Sequence, residues 1–422
     1  MNDIEVALEE LRALGLHRST RLISGPQGPT ILLEGRPVLL FCSNNYLGLA
    51  EHPRVREAAA DAAMRWGVGS GASRLVSGTM TIHNALERRL AEFDGSESCV
   101  LFGSGYLANI GVIGALASLP AGDQNGRARR NGAGGERVVF SDALNHASIV
   151  DGCRLARAQT FVYEHCDVDH LAWGLREAPA GSVIVTDSVF SMDGDIAPLV
   201  EIVELAERHG ARVIVDEAHA TGALGPGGRG AVAAAGLDGR VDVVVGTLGK
   251  ALGSYGAYAC ASRATVEYLV NSARTLIFST APPPPAVAGA LAALELLSEQ
   301  PHRVEKLAAN SALMRSALAR AGVPPPAGET QIIPLIVGDA AKAVELCETA
   351  LMRGVFVQAI RPPTVAPRGS RLRLTLMASH TTGEINRAAE TIAAAARETG
   401  VSIGSETAQA GEEAGAAVGC GA

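Results

Sequence analysis

The distribution of apolar and polar positions predicts a chain built from alternating strands and helices. Between about residues 90 and 280, short apolar runs rich in β-branched residues alternate with segments whose apolar residues recur at helical spacing. The runs are apolar on both faces, as is typical of strands in a mostly parallel sheet that helices cover. The pattern predicts a helix over 199–209 and strands over 137–142, 161–164, 183–187, 212–216, 241–246, 256–261 and 276–278.

A second α/β region follows four consecutive prolines at positions 282 to 285. A long helix is predicted directly after them, from 286 to about 300, because proline interrupts the preceding pattern. Further helices are predicted at 303–321, 340–353 and 382–398, and strands at 330–337, 355–359 and 370–377.

These patterns divide the chain into four parts. We expect an N-terminal helix and arm (1–50), a large α/β domain (51–285), a smaller C-terminal α/β domain (286–400) and a tail (401–422). The tail and a glycine-rich polar stretch at 121–136 contain little that a core could bury, so both are expected to be disordered.

Composition narrows the class of protein. Of the 422 residues, 47% are hydrophobic and 19% are charged, as in an ordinary globular protein. The net charge of -8 argues against a nucleic-acid binder, which normally has a basic surface. The seven cysteines are scattered, without a CxxC pair, so neither a disulfide framework nor a zinc site is expected. No signal peptide or membrane-spanning stretch is recognised, and a cytoplasmic location without membrane contact is expected.

The first candidate for chemistry is Lys250. It follows an apolar strand pattern and lies between Gly249 and Gly253, and glycines at such positions allow a ligand to approach the backbone. In covered parallel sheets, ligands lie beyond the carboxyl ends of the strands, where Thr247 also falls. A lysine amine placed there is suited to forming an imine with an aldehyde.

Two groups that could hold a ring lie upstream of Lys250. Asp216 ends the predicted strand 212–216, and His219 follows it by three residues. Beside a plain helix-capping role, the Asp216 carboxylate could keep a pyridine nitrogen protonated, and His219 could donate to a ring hydroxyl oxygen.

Two further segments complete this set. His146 follows the predicted strand 137–142, and its flat imidazole is suited to stacking on a ring. Gly105 and Tyr106 lie at the start of a helical stretch, whose N–H groups can hold a phosphate. An amine, a carboxylate, a histidine and a phosphate-binding turn together fit pyridoxal 5'-phosphate (PLP).

Two alternatives use the same residues. Metal binding by His146 and His219 is disfavoured, because no third ligand has a typical spacing. The run Asp-Glu-Ala-His at 216–219 also spells the acidic box of some nucleic-acid-dependent ATPases. Those proteins need an upstream phosphate loop of the form GxxxxGK[ST], which this sequence lacks.

In five motifs the chain resembles the α-oxoamine synthases, a PLP-dependent group of fold type I. The motifs are CSNNYLGL (42–49), SDALNHAS (141–148), VFSMDG (189–194), VDEAHATG (215–222) and GTLGKALG (246–253). The resemblance implies the α/β fold of PLP-dependent transferases of fold type I. It also implies an acyltransferase that joins an amino acid to an acyl thioester with loss of CO2. A homodimer is implied as well, because fold type I sites usually lie at a dimer interface.

The resemblance assigns roles to single positions. It implies that Lys250 is the Schiff-base lysine, that Asp216 pairs with the pyridinium nitrogen, that His219 contacts the 3-hydroxyl oxygen and that His146 stacks on the ring. The other cofactor contacts that it implies are Gly105, Tyr106, Ser191 and Thr247, with Ser279 and Thr280 directed towards the phosphate of a partner subunit.

The resemblance also indicates the substrates. Arg373 matches the arginine that holds the substrate carboxylate, as its bidentate guanidinium would allow. Arg18 and Thr364 match further substrate contacts. The segment AIRPPTV at 359–365 favours the members that join L-alanine to a pimeloyl thioester, either pimeloyl-CoA or a pimeloyl carrier protein. A glycine C-acetyltransferase, or another synthase of the group, is the nearest alternative. A regulator or binding protein with the same fold is a more distant one.

Overall fold

The computed structural model describes residues 2–119 and 137–404. The stretch 121–136 and residues 405–422 of the tail, for which the sequence predicts disorder, lie outside the described residues.

The helices and strands follow one another along both halves of the chain. The helices are α1 (Asp3–Ala13), α2 (Pro53–Trp66), α3 (Thr81–Asp94), α4 (Gly105–Ala117), α5 (Ala147–Ala156), α6 (Val168–Leu175), α7 (Leu199–His209), α8 (Ala231–Ala234), α9 (Arg263–Ser272), α10 (Arg274–Ile277), α11 (Pro284–Glu299), α12 (His302–Arg320), α13 (Ala340–Met352) and α14 (Thr382–Thr399). The strands are β1 (Ile23–Ser24), β2 (Thr30–Leu33), β3 (Arg36–Leu40), β4 (Ser98–Phe102), β5 (Val138–Asp142), β6 (Gln159–Tyr163), β7 (Val183–Asp187), β8 (Arg212–Asp216), β9 (Val243–Thr247), β10 (Ala257–Ala261), β11 (Ile332–Gly338), β12 (Val355–Phe356), β13 (Gln358–Ile360) and β14 (Ser370–Thr375).

The larger of two compact units comprises Leu47–Ser191 and Asp195–Val304. Its seven-stranded sheet has the order β4-β10-β9-β8-β7-β5-β6. The five strands from β9 to β6 pair in parallel, whereas β10 is antiparallel to both of its neighbours. Helix α4 packs on this sheet through an apolar core that includes Val112, Val185 and Ile214. The predicted α/β class with a mostly parallel sheet is confirmed.

Two features of this unit differ from the sequence prediction. The edge strand β4 was not among the predicted strands. The strand predicted at 276–278 is wrong, because Arg274–Ile277 is helix α10. A three-residue apolar run does not distinguish a strand from a buried helical turn. Here the helical turn buries Leu276 beside Ala273, and Thr275 Oγ1 donates a 2.7 Å hydrogen bond to the Leu107 carbonyl on α4.

The smaller unit comprises Met1–Tyr46, Met192–Gly194 and Glu305–Ala422. It contains a four-stranded sheet, β1-β2-β3-β12, and a three-stranded sheet, β11-β14-β13. The predicted extended arm is therefore a set of short paired strands. The single strand predicted at 355–359 is two strands, because β12 pairs in parallel with β3 and β13 pairs with β14 in the other sheet. Within the described residues, no helix has the length and apolar character needed to cross a membrane.

Candidate active site

Two carboxylates lie side by side at the carboxyl edge of the seven-stranded sheet. Asp187 ends β7 and Asp216 ends β8, and the two residues are directly paired in the parallel register. Both are buried, with 3% and 4% of their surfaces exposed. Burial raises the pKa of Asp187 well above its usual range, and the nearby charge of Asp216 raises it further. The arrangement therefore disfavours a second negative charge, on Asp187, beside Asp216.

Asp216 is held in a fixed orientation by two N–H donors. Asn109 Nδ2, on α4, donates to Asp216 Oδ2 at 2.6 Å, and the Ala218 amide donates to Asp216 Oδ1 at 2.8 Å. Asn109 is itself positioned by a 2.9 Å hydrogen bond from its Nδ2 to Ser148 Oγ on α5. The carboxylate at the end of β8 thus depends on two helices that lie far from it in sequence.

Lys250 lies in the turn that follows β9. Thr247 Oγ1 accepts from the Gly249 amide at 3.2 Å and donates to the Gly256 carbonyl at 3.1 Å, so it shapes this turn. Lys250 Nζ lies 2.7 Å from His219 Nε2. His219 is buried, and Lys250 is half-buried. The amine and the imidazole, each predicted to contact the same cofactor, are therefore in direct contact.

Gly253, which the sequence associates with a ligand, has a different neighbour in the structure. Its φ of +61° is in the left-handed region, and a Cβ there would lie 2.3 Å from the Ala50 amide nitrogen. Glycine is therefore required by the backbone of the 49–50 segment, which passes close to the turn that carries Lys250.

His146 is the N-cap residue of α5. Its backbone amide donates to Asp187 Oδ2 at 2.7 Å, and its Nδ1 lies 2.7 Å from Ser148 Oγ. Burial lowers the pKa of His146; the charge of Asp216 partly opposes this effect, and the charge of Lys250 reinforces it. The neutral form of the His146 imidazole is therefore favoured, and it is influenced by the charges of both Lys250 and Asp216.

The turn that the sequence predicts to bind a phosphate lies at the start of α4. Ser104 is the N-cap, and its Oγ accepts from the Leu107 amide at 3.3 Å. A Cβ added to Gly105 would meet no atom within 4 Å, so the surrounding protein does not by itself require glycine there. An anion at a helix N-terminus would occupy such a space. Tyr106 is half exposed, with 41% of its surface accessible, and its hydroxyl donates to Asp151 on α5.

Three further predicted cofactor positions lie in the segments that follow β7 and α10. Ser191 is half-buried in the segment after β7, next to a short bridge between Val189 and Ile196. Ser279 and Thr280 follow helix α10, not a strand, and Thr280 pairs with Ser73 in an isolated antiparallel bridge.

Arg373 lies in the smaller unit, in the middle strand of its three-stranded sheet. It is buried, and its Nη1 donates to Asn44 Oδ1 at 3.3 Å. It also hydrogen-bonds the hydroxyl of Tyr46, whose pKa is raised by burial and partly lowered again by Arg373. Its guanidinium has the geometry to bind a carboxylate through two parallel N–H donors.

Arg18 and Thr364 belong to two segments of the smaller unit that are linked to each other. Arg18 Nη2 donates to the Pro362 carbonyl at 2.9 Å, and Arg361 donates in return to the carbonyls of Gly15 and His17. Thr364 is exposed, and its amide bonds to the Arg361 carbonyl at 3.1 Å. The structure thus brings the two predicted substrate segments together.

Comparison with known proteins identifies the family. Residues 36–392 match the family model of class I and II aminotransferases. The chain is 50% identical to the 8-amino-7-oxononanoate synthase of Geotalea daltonii over 93% of this chain and 98% of the relative. It is 51% identical to the enzyme of the same name from Anaeromyxobacter dehalogenans, over 91% and 92%.

The chain belongs to the 8-amino-7-oxononanoate synthase family. The resemblance to α-oxoamine synthases is thereby confirmed. Among solved structures, this family member is similar to the serine palmitoyltransferase of S. paucimobilis with a bound PLP–myriocin aldimine, with a TM-score of 0.85, 30% identity and coverage of 94% and 98%. It is also similar to the 8-amino-7-oxononanoate synthase of Francisella tularensis, with a TM-score of 0.71, 25% identity and coverage of 86% and 99%.

Membership of this family argues against the ATPase alternative. The structure shows what the acidic run at 216–219 does instead. Glu217 is buried, and its two carboxylate oxygens accept from the amides of Ala231 at 2.9 Å and Val232 at 2.8 Å. Within this member of the 8-amino-7-oxononanoate synthase family, Glu217 therefore holds the start of the short helix α8.

The sequence interpretation missed Asn109 and left Asp187 without a role. Asn109 had a recognisable signal, because it is an amide in the otherwise apolar helix LANIGVIGALA. A buried polar residue in such a setting normally has a hydrogen-bond partner. The pairing of Asp187 with Asp216 had no such signal, because it depends on the register between β7 and β8.

Proposed function

We propose that this protein uses PLP to condense L-alanine with a pimeloyl thioester, giving 8-amino-7-oxononanoate, CO2 and a free thiol. This is an acyltransferase reaction, and it belongs to biotin biosynthesis. The identity of about 50% to 8-amino-7-oxononanoate synthases over more than nine-tenths of the chain carries the proposal. The contacts around Lys250 and Asp216 support it independently.

The described residues fit PLP. Asp216 offers a buried, oriented carboxylate for the pyridine nitrogen, and the space at Gly105 in the first turn of α4 suits the phosphate. Lys250 offers an amine for the aldehyde. When bound, the cofactor supplies an electron-accepting ring that stabilises negative charge at the Cα of the substrate.

Lys250 is proposed to remove the Cα proton of alanine with its Nζ. The contact with His219 Nε2 holds the amine in one position and gives it a hydrogen-bond partner in either protonation state. His219 is also proposed to contact the 3-hydroxyl oxygen of the cofactor. If it does so through Nε2, this one N–H is shared between the cofactor oxygen and Lys250 Nζ. His219 thus links the lysine base to the cofactor oxygen.

The aspartate pair is proposed to keep negative charge on Asp216. Burial and the charge of Asp216 raise the pKa of Asp187, which favours Asp216 as the carboxylate that pairs with the positive ring nitrogen. Asp187 also accepts from the His146 amide, so it positions the imidazole that is proposed to stack on the ring. We assign Thr247, Tyr106 and Ser191 to the remaining cofactor contacts.

Arg373 is proposed to bind the carboxylate of alanine through two parallel N–H donors. Arg18 and Thr364 are proposed to contact the acyl donor. Their linked segments present two arginines, Arg18 and Arg361, and the charge of Arg18 lowers the pKa of Arg361 in addition to the larger effect of burial. An acyl donor that carries negative charge or several carbonyl oxygens would weaken the repulsion between these two arginines.

A homodimer in the cytoplasm is proposed as the working form. Large apolar side chains are exposed near the Ser73–Thr280 bridge, including Val76 (80% exposed) and Phe278 (70% exposed). Exposed apolar groups gathered in one region are typical of a subunit interface. Ser279 and Thr280 would then reach the phosphate in the partner subunit.

A paired substrate assay tests the proposed function. Purified holoenzyme is supplied with alanine and pimeloyl-CoA, with alanine and a pimeloyl carrier protein, or with glycine and acetyl-CoA, and thiol release is followed. We expect turnover with alanine and a pimeloyl donor. A clear preference for glycine and acetyl-CoA would instead identify a glycine C-acetyltransferase and overturn the proposal.

A further inference from the structure

A second group of titratable side chains lies in the larger unit, between the ends of β5 and β6 and the segment after β7. His165 Nδ1 lies 2.9 Å from Asp142 Oδ1, and His165 Nε2 lies 2.7 Å from Asp195 Oδ2. The thiol of Cys166 is 3.7 Å from His165 Nε2 and 3.9 Å from Asp195 Oδ2. None of these residues is assigned a role in the proposed reaction.

We propose that His165, Cys166 and Asp195 form a binding site for one Zn²⁺ ion, with Asp142 as the outer partner that orients the histidine. Imidazole, thiolate and carboxylate are the ligands that zinc takes in proteins. This inference is independent of the proposed function, because it concerns different residues.

The spacing of the three donor atoms suits a tetrahedral ion. With the usual zinc–ligand distances, ligand atoms around one tetrahedral zinc lie about 3.3 to 3.6 Å apart. The two separations that involve Cys166 Sγ, 3.7 Å and 3.9 Å, are close to this value. Cys166 Sγ is also 3.8 Å from His165 Nδ1, so it lies over the imidazole ring, and the cysteine side chain has to turn towards the Nε2 edge to share an ion. The 2.7 Å contact between His165 Nε2 and Asp195 Oδ2 also has to open, as it does when a metal replaces the shared proton.

Asp195 has an unused donor atom in this group. Its Oδ1 is buried and has no hydrogen-bond partner among the described residues, although Asp195 Oδ2 bonds to the histidine. A buried carboxylate oxygen without a partner is costly, and a carboxylate that binds the ion through both oxygens would satisfy it.

Asp142 is suited to the outer position and not to direct coordination. Its Oδ1 accepts from the Leu144 amide at 2.8 Å, and its Oδ2 accepts from the Cys166 amide at 2.8 Å. A histidine that binds zinc through one nitrogen commonly donates its other N–H to a carboxylate, as His165 Nδ1 does to Asp142 here.

The test uses the holoenzyme after removal of metal with a chelator. Zn²⁺ is titrated in competition with a chromophoric chelator, and Co²⁺ is used to detect tetrahedral coordination by its visible bands. We expect one equivalent per chain. Cys166→Ser and Asp195→Asn should each weaken binding by about tenfold or more, by loss of a ligand. Cys42→Ser, which changes another half-buried thiol, should bind as the unaltered protein does.

A measurement on the unaltered protein guards against misfolded variants. Zn²⁺ should protect Cys166 from alkylation by iodoacetamide, as read by peptide mapping, while Cys42 is not protected. Equal zinc affinity of the Cys166→Ser variant and the unaltered protein would place the ion elsewhere and overturn the proposal. So would alkylation of Cys166 at the same rate with and without the ion.

Discussion

The hydrogen bond from Asn109 to Asp216 gives the sharpest test of the site. Asn109→Ala removes the 2.6 Å donor to Asp216 Oδ2 and the link to Ser148, and it leaves the Ala218 amide to donate to this buried carboxylate. A hydrogen bond to a charged group contributes about 1.5–3 kcal/mol. If this bond orients Asp216 towards the ring nitrogen, its loss should weaken PLP binding by about tenfold to 150-fold.

The assay is the dissociation constant for PLP, measured by absorbance on folded protein. Asn310→Ala is the matched control, because Asn310 is also a buried helical asparagine and its Nδ2 donates to the carbonyls of Met377 at 2.9 Å and His380 at 3.0 Å. That control should lose stability but keep its affinity for the cofactor. Unchanged PLP affinity in Asn109→Ala would refute the positioning role of this residue.

Three further predictions concern other residues. Lys250→Ala should remove the adduct that borohydride reduction and peptide mapping find at that lysine and should lower kcat by about a hundredfold or more, because the base is lost; an adduct elsewhere with retained activity would contradict this. Arg373→Lys should raise KM for alanine more than it lowers kcat, because an ammonium cannot make the bidentate contact, and steady-state kinetics with varied alanine would reveal an unaltered KM if this is wrong. Burial lowers the pKa of His380 from 6.5 to about 4, while its Nδ1 accepts from the Met377 amide and its Nε2 bonds to the Leu40 carbonyl. The unfolded chain binds the proton more readily, so stability should be fully present above pH 6.5 and fall by up to about 3 kcal/mol as the pH drops to 4. Urea unfolding at a series of pH values should show a smaller slope for His380→Gln, and an equal slope would exclude His380 as its source.

Much of the larger unit follows from local sequence. The runs at 183–187 and 212–216 are β-branched and apolar, and they form β7 and β8 with the same limits. The amphipathic pattern at 199–209 likewise forms α7. These elements are readable because a strand or helix that buries one or both faces needs apolar residues at fixed intervals.

The conformation of short segments was harder to predict from the sequence. The apolar run around Leu276 became a helical turn, because the core beside α4 accommodates it in that form. The segment 355–360 was divided between two sheets, since β3 and β14 each pair with a part of it. In both cases the neighbours that decide the conformation are remote in sequence.

The chemical character of the candidate site was determined by the sequence alone. A lysine, an aspartate and a histidine at the ends of apolar strands already indicated an aldehyde cofactor, because the edge at which parallel strands end is where ligands bind. Only the tertiary structure decided which side chains support them. Asn109 and Asp216 are 107 positions apart and meet through the packing of α4 on the sheet, and Asp187 meets Asp216 through strand register. Local patterns fix the conformation of a segment, but the distances between segments follow from how the whole core packs, which no single stretch of sequence encodes.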